Sequence, residues 1–233
     1  MTTPPQLSSA ARSRHMLPPA LLCIGRNYSD HAAEMGAEPL EHPILFMKNP
    51  ACLIGDGDAI VIHPICNQPR EQVDFEGELA VILGRDCLDV PEADALDCVS
   101  GYAAANDVSA RWWQKLGSGG QYVRGKSFDT FCPMGAITPA AAVADPQALE
   151  LITTLNGEVM QRASTATMIF PVAKLIAELS RGMTLLAGSI LLTGTPSGVG
   201  SARKPPRFLR DGDVIEVAIS GVGSVCNPVV AGG

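Results

Sequence analysis

Two glutamates separated by a single residue are the feature of this sequence that most clearly suggests chemistry. The segment 75–83 predicts a β-strand, in which alternate side chains point to the same side, so Glu76 and Glu78 share one face. Ala80 and Ile82 continue that face and are apolar, which favours a buried location. Because buried like charges repel, the pair predicts ligands for one cation. An exposed acidic strand is the alternative, since glutamate is usually exposed.

Asp107 supplies a third carboxylate, directly after a strand predicted over 99–105. Three carboxylates without a nearby histidine or cysteine form a hard oxygen site. Such a site suits Mg²⁺ or Mn²⁺, with Ca²⁺ as a further candidate, and argues against structural zinc. A helix predicted over 108–116 places Asp107, Arg111 and Gln114 at i, i+4 and i+7 on one face, which offers a guanidinium for an acid group and an amide for a carbonyl. An ordinary surface Asp–Arg pair is the alternative.

Three further side chains are suited to proton transfer or charge stabilisation. His31 and Glu34 lie at i and i+3 on a short predicted helix, where the carboxylate can orient the imidazole toward a water molecule. A structural or capping histidine is the alternative. Lys126 follows Gly125, which permits close approach, so its charge can stabilise a developing enolate. The alternative is a surface lysine.

The elements that must position these residues are mainly strands. The 23 glycines and 18 prolines are spread along the chain, which favours short elements joined by tight turns. Asn156-Gly157 predicts a hairpin, and 171–180 has the spacing of an amphipathic helix that begins after Ile169-Phe170. Alternating and apolar runs predict strands at 21–24, 44–47, 59–62, 75–83, 99–105, 151–155, 158–161, 189–193 and 214–219.

Composition and charge narrow the class of partner. The chain has 233 residues, 46% of them hydrophobic, and a net charge of −7, which argues against nucleic-acid binding and favours small molecules. Seven cysteines without a C-x-x-C pair favour free thiols in a reducing cytoplasm. No stretch is typical of a signal peptide or a membrane helix, so we expect a cytoplasmic protein without membrane contact. We expect a loose arm over 1–16 and one catalytic domain over 17–233.

Five segments of the chain form a pattern through their order and spacing. They are Ile24–Tyr28 with His31 and Glu34, Asp74–Leu79, Asn106–Arg111 with Gln114, Gly125–Asp129, and Thr193–Gly200. Together they resemble the fumarylacetoacetate hydrolase family, in particular its short acylpyruvase-like members. Five segments in register are far more specific than any one of them, and they favour the functional interpretation of each residue over its alternative.

The resemblance implies a β-rich α+β fold, in which mixed β-sheets form a roll with peripheral helices, and usually a homodimer. It implies Mg²⁺ or Mn²⁺ on Glu76, Glu78 and Asp107. It also implies catalytic roles for Lys126 and for a water-activating dyad of His31 and Glu34. Five positions would bind substrate in the pocket: Arg26, Lys48, Arg111, Gln114 and Thr195.

The expected reaction is hydrolytic carbon–carbon cleavage of an acylpyruvate, such as fumarylpyruvate or acetylpyruvate. Oxaloacetate decarboxylation or tautomerisation, and isomerisation of a hydroxymuconate-type acid, are alternatives that use the same metal–enolate chemistry. A keto-acid-binding protein without catalysis is the alternative of another class. Two segments depart from the family pattern: Trp112-Trp113, where many relatives carry Asp after the Arg, and Ala187-Gly188-Ser189, in place of Pro-Gly-Asp. The first is expected to alter specificity, the second local geometry.

Overall fold

The structure of the protein is a computed structural model, and it describes residues 17–30 and 41–233. The helices in these ranges are short: α1 (Arg111–Lys115), α2 (Val123–Lys126) and α3 (Val172–Ser180). Strands dominate and are β1 (Leu21–Gly25), β2 (Ile44–Lys48), β3 (Leu53–Ile54), β4 (Ile60–Ile62), β5 (Val73–Asp74), β6 (Gly77–Leu83), β7 (Val99–Asn106), β8 (Ser109–Ala110), β9 (Cys132–Pro133), β10 (Thr138–Pro139), β11 (Glu150–Leu155), β12 (Glu158–Ser164), β13 (Ile190–Leu192), β14 (Val214–Ile219) and β15 (Gly223–Ala231).

Two larger sheets organise these strands. The six-stranded sheet has the order β10-β7-β6-β13-β1-β2, and the five-stranded sheet has the order β12-β11-β14-β15-β4. Most neighbours run antiparallel, whereas β1 with β13 and β15 with β4 run parallel. The expected β-rich fold of mixed sheets with peripheral helices is therefore confirmed.

The central strand β6 is buried on both faces of the six-stranded sheet. Leu79 and Val81 belong to the same apolar cluster as the inner side of α3. Ala80 and Ile82 point the other way and belong to a second cluster. Glu78 shares the face of Ala80 and is only 1% exposed, so its carboxylate must find its partners inside the protein.

Two predicted elements near these carboxylates differ from the structure. β6 begins at Gly77, so Glu76 precedes the strand instead of lying on its face. β8 separates Asp107 from α1, which begins at Arg111, so the helix predicted over 108–116 is wrong at its start. The cause is a contact between the residue before β6 and the residue after β7, because the N–H of Asp107 donates to Glu76 O over 2.8 Å. Periodicity along one segment does not show such a contact.

The other local patterns have mixed outcomes. The hairpin between β11 and β12 is confirmed, and Asn156 and Gly157 at its turn have φ angles of 53° and 81°. β15 has no counterpart among the predicted strands, because Gly223, Asn227 and Pro228 interrupt its alternation. In the described ranges, the structure contains no helix with the length and apolar character needed to cross a membrane.

Several expectations lie beyond what the structure describes. The arm over 1–16 and most of the short helix with His31 and Glu34 fall outside the described residues. The single catalytic domain over 17–233, the homodimer and the cytoplasmic location remain predictions.

Candidate active site

The three predicted metal ligands meet where β6 begins and β7 ends. Gly77 of β6 pairs with Asn106 of β7, so Glu76 and Asp107 lie beside each other just outside this pair. One carboxylate oxygen from each of Glu76, Glu78 and Asp107 lies within 4.8 Å of the others. All three side chains are buried. The strand register therefore brings together carboxylates that are 31 positions apart at most in the sequence.

Glu78 has a single hydrogen bond to the neighbouring loop. Its Oε2 accepts from the N–H of Gly194 over 2.7 Å. Gly194 follows β13 and has a φ of 94°, a conformation that favours glycine. Burial first, and then the charges of Asp107 and Glu76, raise the pKa of Glu78 well above its ordinary value. An additional cation would relieve this repulsion.

Two buried lysines hold the two oxygens of Asp107. Lys48 Nζ lies 2.5 Å from Asp107 Oδ1, and Lys126 Nζ lies 2.5 Å from Asp107 Oδ2 and 2.8 Å from Glu76 Oε2. Burial, the largest single cause, would lower the pKa of each lysine, but the neighbouring groups together, with Asp107 first among them, outweigh it and both pKa values are raised. Both side chains are therefore cationic at neutral pH.

Lys126 reaches the carboxylates because α2 packs closely on α1. A Cβ atom at Gly125 would collide with the backbone of Gln114, so glycine permits this contact, as the sequence predicts. Lys126 Nζ also donates to Ser109 Oγ over 2.8 Å. With Glu76 and Asp107, all three ammonium protons then have acceptors, which fixes the position of the charge.

Arg111 is anchored by two carboxylates. Its Nε donates to Asp74 Oδ2 over 2.8 Å, and its Nη1 donates to Glu76 Oε1 over 2.5 Å. Asp74 is fully buried and also accepts from the N–H groups of Gly200 and Ser201, over 2.8 and 2.9 Å. Asp74 therefore joins Arg111 to the loop on the other side of the site, a role that the sequence pattern did not assign to it.

A cavity of about 70 Å³ lies beside the carboxylates. Arg26, at its wall, has a φ of 55°, and its buried Nε has no hydrogen-bond partner among the described residues. That guanidinium is available to an anion. The cationic, amide and hydroxyl side chains around the cavity suit a small acid with a carbonyl group, and they include Arg26, Arg111, Gln114, Lys126 and Thr195.

Thr195 is held in the cavity wall by a residue that the sequence analysis missed. Thr195 Oγ1 donates to Gly77 O over 2.9 Å and accepts from Gln161 Nε2 over 2.8 Å. Gln161 Oε1 accepts in turn from the N–H of Gly77 over 3.0 Å. One buried amide on β12 therefore fixes the start of β6 relative to the loop after β13. In the sequence, the role of Gln161 is indicated only by its place at an inward-pointing position of its strand.

The donor set fits a hard divalent cation. Glu76, Glu78 and Asp107 offer only carboxylate oxygens, which suits Mg²⁺ or Mn²⁺, and also Ca²⁺. Among the described residues, Asp74, Glu76 and Asp107 form ion pairs with Lys48, Arg111 and Lys126, whereas no ion pair is seen for Glu78.

Most predicted site residues within the described ranges lie together, with one difference in position. Lys48 supports Asp107 from behind, has no exposed side-chain surface and is absent from the cavity wall. The Lys48 ammonium group is enclosed between Asp107 and Val108 O. In this structure it therefore does not reach the cavity in which a substrate would bind. His31 and Glu34 lie outside the described residues, so the dyad stays a prediction.

The role of Asp74 leads to a prediction. In Asp74→Asn, the new amide group faces donors from Arg111 and Ser201, so we expect kcat/KM for the keto acid to fall about 100-fold through misplacement of Arg111. Steady-state kinetics at saturating metal measure this. Asp213→Asn is the matched control, since it breaks a buried pair with Arg207 away from the cavity. Equal kinetic losses in both variants would show that Asp74 acts on stability alone.

The protein has a mixed-sheet fold, and three buried carboxylates converge beside a cavity lined by cationic side chains. These features define a class of protein in which a small anion can bind next to a divalent metal. A sequence model described as the fumarylacetoacetate (FAA) hydrolase C-terminal region matches residues 20–230. The chain belongs to the fumarylacetoacetate hydrolase family.

Individual relatives carry several activities. Oxaloacetate tautomerase YisK of Bacillus subtilis is 44% identical over 212 residues, which are 90% of this chain and 69% of that protein. The structure of 5-carboxymethyl-2-hydroxymuconate delta-isomerase from Mycobacterium smegmatis has a TM-score of 0.81 and 39% identity, with 94% of this chain and 81% of that chain covered. Maleylpyruvate hydrolase from Sphingobium sp. SYK-6, in complex with manganese(II) and pyruvate, has a TM-score of 0.78 and 33% identity, with 94% and 72% covered.

All three relatives are named for reactions of small keto or hydroxy acids. They support the metal–enolate chemistry expected from the sequence, and a divalent metal at the acidic cluster. They do not confirm hydrolysis, because the relatives include a tautomerase and an isomerase.

Proposed function

We propose that the protein is a metal-dependent enzyme that cleaves acylpyruvates into pyruvate and a carboxylic acid. The observation that carries the proposal is the convergence of Glu76, Glu78 and Asp107 within 4.8 Å, beside a cavity with cationic walls. The likeness to a maleylpyruvate hydrolase that holds manganese and pyruvate supports it. A divalent cation on these carboxylates would supply a Lewis acid that stabilises negative charge on a keto oxygen.

The side chains of this chain bind and orient the substrate. Arg26, whose Nε has no hydrogen-bond partner within the described part of the chain, attracts the carboxylate of the keto acid. Lys126, fixed by three acceptors, places a positive charge where the pyruvate half becomes anionic. Gln114 offers an amide to a carbonyl oxygen at the same wall. Arg111, held by Asp74, adds a second guanidinium with a fixed direction.

The cleavage step balances with water as the only co-reactant. His31, oriented by Glu34, takes a proton from water, whose oxygen bonds to the distal acyl carbon. The carbon–carbon bond between the acyl carbon and C3 of the pyruvate unit breaks, and its electron pair goes to the pyruvate half. Protonation at C3 gives pyruvate, and the acyl half leaves as a carboxylic acid.

Keto–enol tautomerisation of oxaloacetate is the second candidate. The 44% identity to an oxaloacetate tautomerase favours it specifically. This reaction moves one proton from C3 to the keto oxygen and needs no water as a nucleophile. The same cavity and the same carboxylates serve both reactions, so the difference depends on whether water is activated.

A substrate panel tests the proposal. Acetylpyruvate, fumarylpyruvate and oxaloacetate are followed by the loss of enol absorbance, with Mg²⁺, with Mn²⁺ and with EDTA, and products are analysed for pyruvate. Metal-dependent release of pyruvate from the acylpyruvates is the expected result. Turnover of oxaloacetate alone would replace the proposal by the second candidate. No turnover of any acid in the presence of metal would refute both.

His31 provides a further prediction. We expect His31→Ala to lower hydrolysis by about 100- to 10,000-fold, the usual contribution of a general base, while Mg²⁺ affinity changes little. Pyruvate release and calorimetric titration with Mg²⁺ measure the two effects. His42→Ala is the matched control, because His42 contacts Glu178 at the surface. Intact hydrolysis in the His31 variant would exclude it as the base.

A further inference from the structure

A large groove opens next to the keto-acid cavity. It has a volume of about 600 Å³ and is called the acyl groove here, defined by Arg70, Trp112, Lys115, Leu116, Pro206 and Phe208. We propose that the acyl groove binds the distal group of the substrate and selects acylpyruvates whose acyl group is apolar and as large as an aromatic ring. The proposal rests on the proposed function, because it assigns the acyl half of the same substrate.

The groove adjoins the cavity. Arg111, Lys115 and Ser201 line both spaces, so the proposed ligand would extend past these residues from one space into the other. The cavity alone, about 70 Å³, is small beside the roughly 300 to 1000 Å³ of typical ligand pockets. The substrate's keto-acid end fits the smaller space, and a bulky acyl end needs the larger one.

The walls of the groove are mainly apolar. Trp112, Pro206 and Phe208 present ring surfaces, and Leu116, 79% exposed, adds an apolar side chain to the same patch. A short dicarboxylic acid such as oxaloacetate would leave these surfaces in contact with water. An aromatic or medium-length alkyl acyl group would cover them, which favours binding of such a group.

Trp112 is fixed before any ligand binds. Its backbone N–H donates to Gln72 Oε1, and its ring packs edge-to-face on Trp113 with centroids 4.8 Å apart and an interplanar angle of 84°. Trp113 is held by the Ile65 carbonyl, 2.8 Å from its Nε1, and by the Arg124 guanidinium, 4.1 Å from its ring. A preorganised aromatic wall of this kind binds an apolar group without loss of its own freedom.

Two cationic side chains line the groove. Arg70 and Lys115 contribute to its walls in a protein with a net charge of −7. Local positive charge in an otherwise acidic protein attracts an anionic ligand toward the groove.

The test uses ligands that are not turned over. Oxamate has the keto-acid end alone, and N-benzyloxamate adds an apolar ring. Calorimetry with the full chain and Mg²⁺ is expected to show that the benzyl compound binds at least about 10-fold more tightly, a difference typical of burying one large apolar group. In Trp112→Ala this advantage falls to about 2-fold or less, while oxamate binding stays the same.

Leu116→Ser is the second variant, because a side chain that is 79% exposed is not needed for folding. It is expected to reduce the benzyl advantage about 3-fold. Leu186→Ser, at an exposed leucine away from the site, is the matched control and leaves the advantage unchanged. In kinetic assays, we expect the ratio of kcat/KM for benzoylpyruvate to kcat/KM for acetylpyruvate to fall most in Trp112→Ala and less in Leu116→Ser. Leu186→Ser leaves this ratio unchanged.

The outcomes separate the groove from the proposed function. Binding of oxamate without an advantage for the benzyl compound overturns the acyl groove and leaves the proposed function intact. Failure of both compounds to bind, with no turnover of any keto acid, overturns both. A change of oligomeric state in Trp112→Ala, seen by size-exclusion chromatography, would assign the groove to an interface between copies of the chain and overturn the proposal.

Discussion

Glu78→Gln abolishes metal-dependent turnover and, in the same variant, stabilises the metal-free protein. The substitution removes one of three carboxylates that lie within 4.8 Å of each other. Its amide keeps an acceptor for the Gly194 N–H and turns a donor toward the remaining carboxylates. We expect turnover to fall about 1000-fold or more and Mg²⁺ affinity about 100-fold or more, since one charged ligand is lost.

The stability gain follows from burial. An ionised carboxylate that is 1% exposed and lies beside two others is destabilising until a cation binds. Removing its charge should therefore raise the free energy of unfolding without metal by about 1–3 kcal/mol. Loss of metal-dependent turnover together with a gain in metal-free stability is characteristic of a cation site, because the same buried charge binds the metal and repels its neighbours.

Calorimetric titration with Mg²⁺ and urea unfolding in EDTA measure the two effects. Glu150→Gln is the control, because Glu150 pairs with Arg162 at the surface, where such pairs contribute at most about 1 kcal/mol. A Glu78 variant that binds metal as wild type does, or that is less stable than wild type in EDTA, would contradict the assignment of Glu78 as a ligand.

The sequence predicts the acidic cluster well because its residues lie at the ends of two adjacent strands. Glu76 and Glu78 are next to the start of β6, and Asp107 is next to the end of β7, so the local motifs already contain most of the geometry. Pairing of Gly77 with Asn106 completes it. The predicted strands place three donors together once β6 and β7 pair in this register, even though Glu76 lies just outside its strand.

The residues that hold the cavity walls could not be predicted in this way. Asn27 donates to the carbonyls of Phe170 and Thr193, which are 143 and 166 positions away. Asp74 accepts from loop residues 126 and 127 positions away. Such contacts depend on how the two sheets and their loops pack. The periodicity of a single segment does not predict this packing. Lys48 shows the same limit, because its place behind Asp107 results from the pairing of β2 with β1.

Lys126→Met lowers turnover far more than Lys48→Met, although both variants break a buried ion pair with Asp107. Each lysine lies 2.5 Å from one oxygen of that carboxylate. In each variant Asp107 keeps one lysine and loses the other, so the interior gains excess negative charge and we expect the metal-free protein to lose about 3–5 kcal/mol of stability. Methionine keeps a similar length and apolar stem, so loss of packing is small.

The two lysines differ in what else their charges reach. Lys126 lines the cavity and also contacts Glu76, whereas Lys48 is enclosed behind Asp107. At saturating Mg²⁺ the cation offsets part of the missing charge in both variants. We therefore expect kcat to fall about 100- to 1000-fold in Lys126→Met, the usual effect of losing a charge that stabilises a transition state, and less than about 10-fold in Lys48→Met.

Comparison of kcat at saturating Mg²⁺ with unfolding in EDTA separates charge stabilisation from structural support. Similar stability losses with different kcat values would show that the Lys126 charge acts on the substrate, because support of Asp107 is common to both lysines. Equal falls in kcat would instead mean that both lysines act only by holding Asp107 in place. In that case the positive charge at the developing enolate would have to come from Arg26 or Arg111, whose guanidinium groups line the same cavity.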